Sequence, residues 1–122
     1  MIEFEWDEGN LQHIILDHPE RGNTVEEVES IVTDPYFRGI ANRVDDVSQE
    51  QRYGGVGIGT QGIEKYVAYV IRNGKIRPIT CYPAKPKQRQ KYYEFIERAR
   101  ALISGDTKNG NGGTEGGAGG GS

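Results

Sequence analysis

The chain has little of what ties a protein together outside its core. A single cysteine, Cys81, leaves no partner for an intramolecular disulfide. Two histidines and one thiol are too few for a structural zinc site, so neither a metal nor any other cofactor is expected. No apolar run approaches the roughly 18 residues that cross a bilayer, and no charged-then-apolar leader opens the chain. These absences lead to the expectation of a soluble cytoplasmic protein with no membrane partner.

Apolar side chains are also missing from one end. Residues 105–122 contain nothing aliphatic larger than Ala118 and hold half of the 18 glycines. Such a stretch cannot bury enough surface to offset the entropy of ordering it, and reads as a flexible tail. Residues 1–104 remain, enough for one modest core. The glycines at 55, 57 and 59 do not make a phosphate loop, because no Lys-Ser/Thr follows and no helix begins there.

What is present is unevenly distributed. The formal net charge of −3 conceals a balance of −10 over residues 1–51 and of +6 over residues 75–101. A basic surface of this kind is a candidate site for anions or nucleic acid, set against the plainer reading that the two halves neutralise each other.

Ile2, Phe4 and Trp6 alternate with acids and predict a short strand. Asp7 is a suitable N-cap for a helix whose buried face is Leu11, Ile14, Ile15 and His18, ended by Pro19 and Gly22. Thr24-Val25-Glu26-Glu27 predicts a reciprocal capping box for a second helix, stopped by Asp34-Pro35. Strands are expected from Tyr36 to about Val44 and from Arg52 to Gly59, the latter with a bulge or close backbone approach at its glycines.

Asn73-Gly74 predicts a two-residue hairpin turn inside Lys65–Tyr82. Counting from it puts Ile71 opposite Ile76, Val70 opposite Arg77, Tyr69 opposite Pro78 and Val67 opposite Thr80. Pro78 lacks an N–H, so the outer side of its strand is expected to have at best an interrupted neighbour. Pro86 opens a final helix with an apolar stripe of Tyr92, Phe95, Ile96, Ala99, Leu102 and Ile103. The order β-α-α-β-β-β-β-α has no parallel βαβ alternation, which makes the fold class α+β with helices packed on an antiparallel sheet.

Phe4-Glu5-Trp6-Asp7, a helix ending in His18, a capped helix ending in Asp34-Pro35, a hairpin, and then Arg77, Thr80, Ala84, Arg89 and Tyr92 follow one another in an order that resembles the BrnT family of type II toxin–antitoxin ribonucleases. The resemblance spans residues 3–95 and rests on the order of several weak motifs. It implies a RelE-like ribonuclease toxin that cleaves RNA without metal and is neutralised by a ribbon-helix-helix antitoxin. The chain departs from that pattern in three places. Tyr82 stands where the family usually has a second arginine, Gln88 where a glutamate is common, and about four extra residues lie around Pro19 to Asn23.

Metal-free cleavage of RNA needs a group to activate the 2′-hydroxyl, cations for the charge developing on phosphate, and a proton donor for the leaving oxygen. The catalytic candidates are Arg77, Lys85, Tyr82 and His18, and the RNA-binding candidates are Arg52, Lys65, Arg89 and Lys87. Arg77 is a charge in mid-strand, which requires a wet face, a phosphate or a carboxylate partner such as Glu64. His18 has a near-neutral intrinsic pKa but continues an apolar stripe, so a structural role competes with an acid–base one. Tyr82 and Tyr92 can stack on bases, although Tyr92 also belongs to a buried stripe. Cys81 reads as packed rather than reactive. Two functions follow from these residues: an endoribonuclease of toxin type, and a catalytically silent relative that binds RNA or a protein partner.

Overall fold

The sheet grows from the turn at Asn73-Gly74. Both residues have positive φ, 52° and 76°, as a type I′ turn requires. The turn joins β3 (Glu64–Arg72) to β4 (Lys75–Pro83) in a computed structural model that describes residues 1–105. β2 (Gln51–Ile58) and β1 (Ile40–Val44) complete an antiparallel sheet in the order β1-β2-β3-β4. The helices α1 (Glu8–Leu11) and α2 (Val25–Val32) precede the sheet, and α3 (Pro86–Ser104) follows it. The fold is α+β.

The chain divides into two units, Met1–Tyr92 and Tyr93–Ser122. Apart from Gly105, the tail expected over 105–122 lies outside the described residues. Among the described residues no helix is long and apolar enough to cross a membrane.

The hairpin register follows the count from the turn as far as Tyr69 opposite Pro78. There an extra residue, Ile79, enters β4, so that Ala68 pairs with Thr80, Val67 with Cys81 and Tyr66 with Tyr82. Strict alternation keeps Val67 opposite Thr80, as the count from the turn expects, and would put Tyr82 on the face of Val67. The bulge reverses the faces beyond it. Cys81 turns into the core, fully buried, and Tyr82 comes to lie beside Tyr66.

Residues Ile2–Trp6 do not form the strand their alternation predicts. They make one parallel bridge, Phe4 to Ile76, in which Ile76 N donates to Glu3 O (2.9 Å) and Glu5 N donates to Ile76 O (2.8 Å). The next rung would need an N–H on Pro78, which proline lacks. The Asn10 amide occupies that gap, with Nδ2 donating to Glu5 O (3.0 Å) and to Pro78 O (3.1 Å). The interruption expected beside Pro78 is therefore present, and it is also what stops the first strand.

Asp7 caps α1 in a reciprocal box with Asn10. The helix then widens into a π turn over Gln12–Leu16, closed by Asp17 N donating to Gln12 O at 2.8 Å. His18 consequently precedes a separate 3-10 turn, Pro19–Arg21, and does not extend the helical stripe. Thr24 caps α2 by accepting from Glu27 N at 3.0 Å. The other half of the expected box is missing, because the Glu27 side chain turns inward and is fully buried.

The core gathers Ile14, Val28, Ile31, Val32, Val67 and Cys81, with Phe4, Trp6, Ile15, Phe37 and Ile76 against them. Burying each large aliphatic side chain contributes about 1.5–3 kcal/mol. The β2 glycines serve close approach, with no bulge between β2 and β3. A Cβ on Gly55 would sit 2.6 Å from Arg38 O, and one on Gly57 would collide with Ile31 O.

β1 begins at Ile40 and not at Tyr36, because Asp34 holds the intervening residues in a turn. Its carbonyl accepts from Phe37 N (2.9 Å) and its Oδ1 from Tyr36 N (2.9 Å). On α3, Tyr92 and Ile96 are buried, while Leu102 and Ile103 are 72% and 82% exposed, so the apolar stripe stops before the last turn.

Candidate nucleic-acid interface

The sequence candidates do not converge on one site. Arg77 lies opposite Val70 near the turn end of β4, and its partner is Asp7, not Glu64 or solvent. Nη1 donates to Asp7 Oδ2 at 2.8 Å and Nη2 to Oδ1 at 3.1 Å, with the arginine side chain 12% exposed. Nearby, Arg72 makes two hydrogen bonds to Glu50 at 2.6 and 2.8 Å. Both guanidiniums at this end of the hairpin are thus closed on carboxylates.

Lys65, counted from sequence among the RNA-contacting cations, is buried, with a side chain 1% exposed. It points to the helical face of the sheet, because it lies two residues from the core residue Val67 on β3, and it pairs with Gly57. Its Nζ donates to Arg21 O (3.1 Å), Asn23 Oδ1 (3.0 Å) and Gln61 Oε1 (2.9 Å), and lies 3.7 Å from Glu27 Oε2. RNA cannot reach it there.

Arg52 sits 3.5 Å from Asp45, whose carboxyl is held below the usual range chiefly by the Ser48 backbone amide. Arg89 turns back on its own helix start, with Nη1 donating to Ala84 O at 2.7 Å. Lys87 is exposed. His18 is half-buried, 3.4 Å from Glu20 and edge-on to the His13 ring. Tyr92 donates to Asp34 Oδ2 at 2.5 Å, beside Ile58 N on the same oxygen, a structural role.

One group of side chains does assemble, at the end of β4 away from the turn. The Tyr82 ring stacks on Tyr66 with centroids 5.1 Å apart. Lys85 Nζ lies 5.6 Å from the Tyr82 centroid and Arg21 Cζ 5.9 Å from it. Tyr82 Oη accepts from Gln88 Nε2 at 3.1 Å, while Gln88 Oε1 accepts from Lys85 N at 2.7 Å and so caps α3. Burial pushes the Tyr66 phenol above its ordinary pKa, so its hydroxyl stays protonated at neutral pH.

The bulge at Ile79 puts Tyr82 in this group, and Pro86 at the start of α3 sets Lys85 beside it. A cation beside an exposed aromatic ring gains about 0.5–1 kcal/mol. A charge-assisted hydrogen bond to a phosphate oxygen contributes about 1.5–3 kcal/mol. The ring therefore holds its cations less strongly than a hydrogen-bonded anion could.

Arg21 and Tyr66 were not among the sequence candidates. Arg21 lies in the extra turn around Pro19 to Asn23, which carries no periodicity. Tyr66 becomes the neighbour of Tyr82 only once the bulge is counted. Among the described residues, no three His, Cys, Asp or Glu side chains gather as a metal site. No family profile matches the chain, and no curated protein matches its sequence.

Proposed function

We propose that this protein acts on single-stranded RNA as a BrnT-like protein of ribonuclease-toxin type, meeting the RNA at the Tyr82 end of β4. The observation that carries the reading is the Tyr66–Tyr82 stack with the Lys85 and Arg21 cations within 6 Å of one ring. Aromatic rings interleaved with cations suit single strands, whose bases expose π faces and whose phosphates need counter-charge.

In metal-free cleavage the 2′-oxygen gives its proton to water and bonds to the adjacent phosphorus. The bond to the 5′-oxygen breaks, and that oxygen takes a proton back from water, leaving a 2′,3′-cyclic phosphate. Lys85 and Arg21 are the groups suited to the charge that builds on the non-bridging oxygens. A cytoplasmic setting and a ribbon-helix-helix antitoxin as partner belong to the same proposal.

A second reading, an RNA-binding relative without catalysis, is favoured by one observation. Arg77, the sharpest catalytic candidate in the sequence, has its guanidinium closed on Asp7.

The test uses purified full-length protein and a fluorescein-labelled single-stranded RNA, followed by anisotropy and by gel in EDTA, beside Lys85→Ala. Binding and cleavage that both weaken in Lys85→Ala support the toxin reading. Binding without cleavage selects the silent relative. Absence of binding at micromolar protein and low salt rejects both.

A further inference from the structure

We infer that Arg21 is the second phosphate-binding cation of this interface, held in place by the buried ammonium of Lys65. The inference rests on the RNA reading above and deepens it. Arg21 closes the 3-10 turn Pro19–Arg21, and Gly22 follows in the left-handed region at φ 63°, reversing the chain. The turn is secured by three hydrogen bonds to two carbonyls. Arg21 Nη1 donates to Cys81 O (3.1 Å), Asn23 Nδ2 donates to the same carbonyl (2.9 Å), and Asn23 Nδ2 also reaches Ile14 O (3.3 Å).

Lys65 binds the turn from beneath. An ammonium has three protons, and Lys65 uses them on Arg21 O, Asn23 Oδ1 and Gln61 Oε1. None is left for Glu27, which stands at 3.7 Å as a countercharge, and this accounts for Glu27 Oε2 being buried without a hydrogen bond. Glu27 Oε1 is engaged elsewhere, by Thr60 Oγ1 (2.8 Å) and Gln61 N (3.0 Å). A buried ion pair is a costly way to stabilise a fold. Here two of the three groups on the ammonium belong to the turn that carries Arg21, so the pair fixes that guanidinium.

Arg21 suits the role assigned to it. Its side chain is 24% exposed, enough for a ligand to reach. Of the five N–H donors of a guanidinium, Cys81 O takes one among the described residues. Glu20 lies 3.9 Å away, too far for a hydrogen bond but close enough to compete with a phosphate for the charge.

The experiment measures single-stranded RNA affinity of the full chain against salt concentration. Each phosphate contact adds about 0.7 to the slope of log affinity on log salt for single strands. Arg21→Ala is expected to lose about tenfold in affinity at low salt and about 0.7 of slope. Arg21→Lys retains the slope, and Glu20→Ala tightens binding.

The charge-neutral pair Lys65→Met with Glu27→Gln is expected to weaken binding as Arg21→Ala does, and to add no further loss once Arg21 is already alanine. An equal loss in both backgrounds overturns the positioning role of Lys65. An unchanged slope in Arg21→Ala, with Lys85→Ala still losing slope, overturns the assignment of Arg21 and leaves the RNA reading intact. A wild type that does not bind RNA overturns both.

Discussion

Arg77 and Asp7 are joined by two parallel hydrogen bonds, so the guanidinium of β4 closes on the residue that caps α1. The Arg77 hydrogen bond is the main reason the Asp7 carboxyl titrates below its usual range. A carboxylate with a depressed pKa stabilises the fold fully above its unfolded value, about 3.9. That stability is lost as pH falls through the folded value. Asp7→Asn should therefore melt below wild type at pH 7 by circular dichroism, with the gap closing as pH falls below about 4. A gap that does not change with pH would show that the pair contributes no stability. Arg77→Ala should leave RNA affinity and its salt slope unchanged.

Lys65→Met should be strongly destabilising because it strands the Glu27 carboxylate inside the fold. Removing one partner of a buried pair costs about 3–5 kcal/mol, whereas replacing both is often near neutral. Urea unfolding should show most of the loss recovered when Glu27→Gln is added. A double variant no more stable than the single one would mean that the hydrogen bonds to the turn, and not the pairing of charges, dominate.

Two neighbouring glycines should respond differently to alanine. At Gly57 the new methyl meets the Ile31 carbonyl, a backbone atom that cannot step aside, and a loss of about 1–3 kcal/mol is expected. At Gly54 it meets the Tyr66 hydroxyl, the far end of a side chain that can swing away. Gly54→Ala should keep most of its thermal stability but lose RNA affinity, because Tyr66 leaves the Tyr82 ring. Equal melting temperatures for the two variants would contradict this.

Cys81 should be inert in the native protein. It is fully buried, and burial pushes its thiol up to about 12. The unfolded thiol ionises near 8.5, so stability should decline as pH rises from about 8.5 toward 12. An aromatic disulfide reagent should label the thiol only when denaturant is added. Fast native-state labelling would mean that the sheet opens at β4.

The sequence made legible those features that depend on neighbours along the chain. Asn73-Gly74 specifies its turn whatever surrounds it, and Pro78 announces a missing donor. Thr24 and Asp7 identify two helix starts. Features decided by distant groups were hidden. Glu27 looked like half of a capping box, and only Lys65, 38 positions later, draws it inward. The Ile2–Trp6 alternation is a sound strand pattern that Pro78 ends from across the sheet.

The proposed interface was legible in part for the same reason. Tyr82 and Lys85 stand out as an aromatic and a cation near the end of a strand. Arg21 joins them only through contacts with Cys81 and Lys65, which no local pattern encodes. Arg77 looked like a site because a mid-strand charge demands an explanation, and Asp7 supplies one from 70 positions away.

The extra residue at Ile79 divides β4 into two stretches that obey opposite parities. Before it, odd and even positions serve one assignment of inside and outside; after it, the assignment is exchanged. Substitutions along this strand can therefore drift independently, each judged by its own surroundings. A deletion of Ile79 would return the strand to plain alternation and leave Thr80, Cys81 and Tyr82 opposite Ala68, Val67 and Tyr66. Drawing Ile79 into the ladder would do the opposite, sending a thiol outward and an aromatic ring inward in one step. What this short segment must preserve is thus the unpaired state of one residue, more than the identity of that residue.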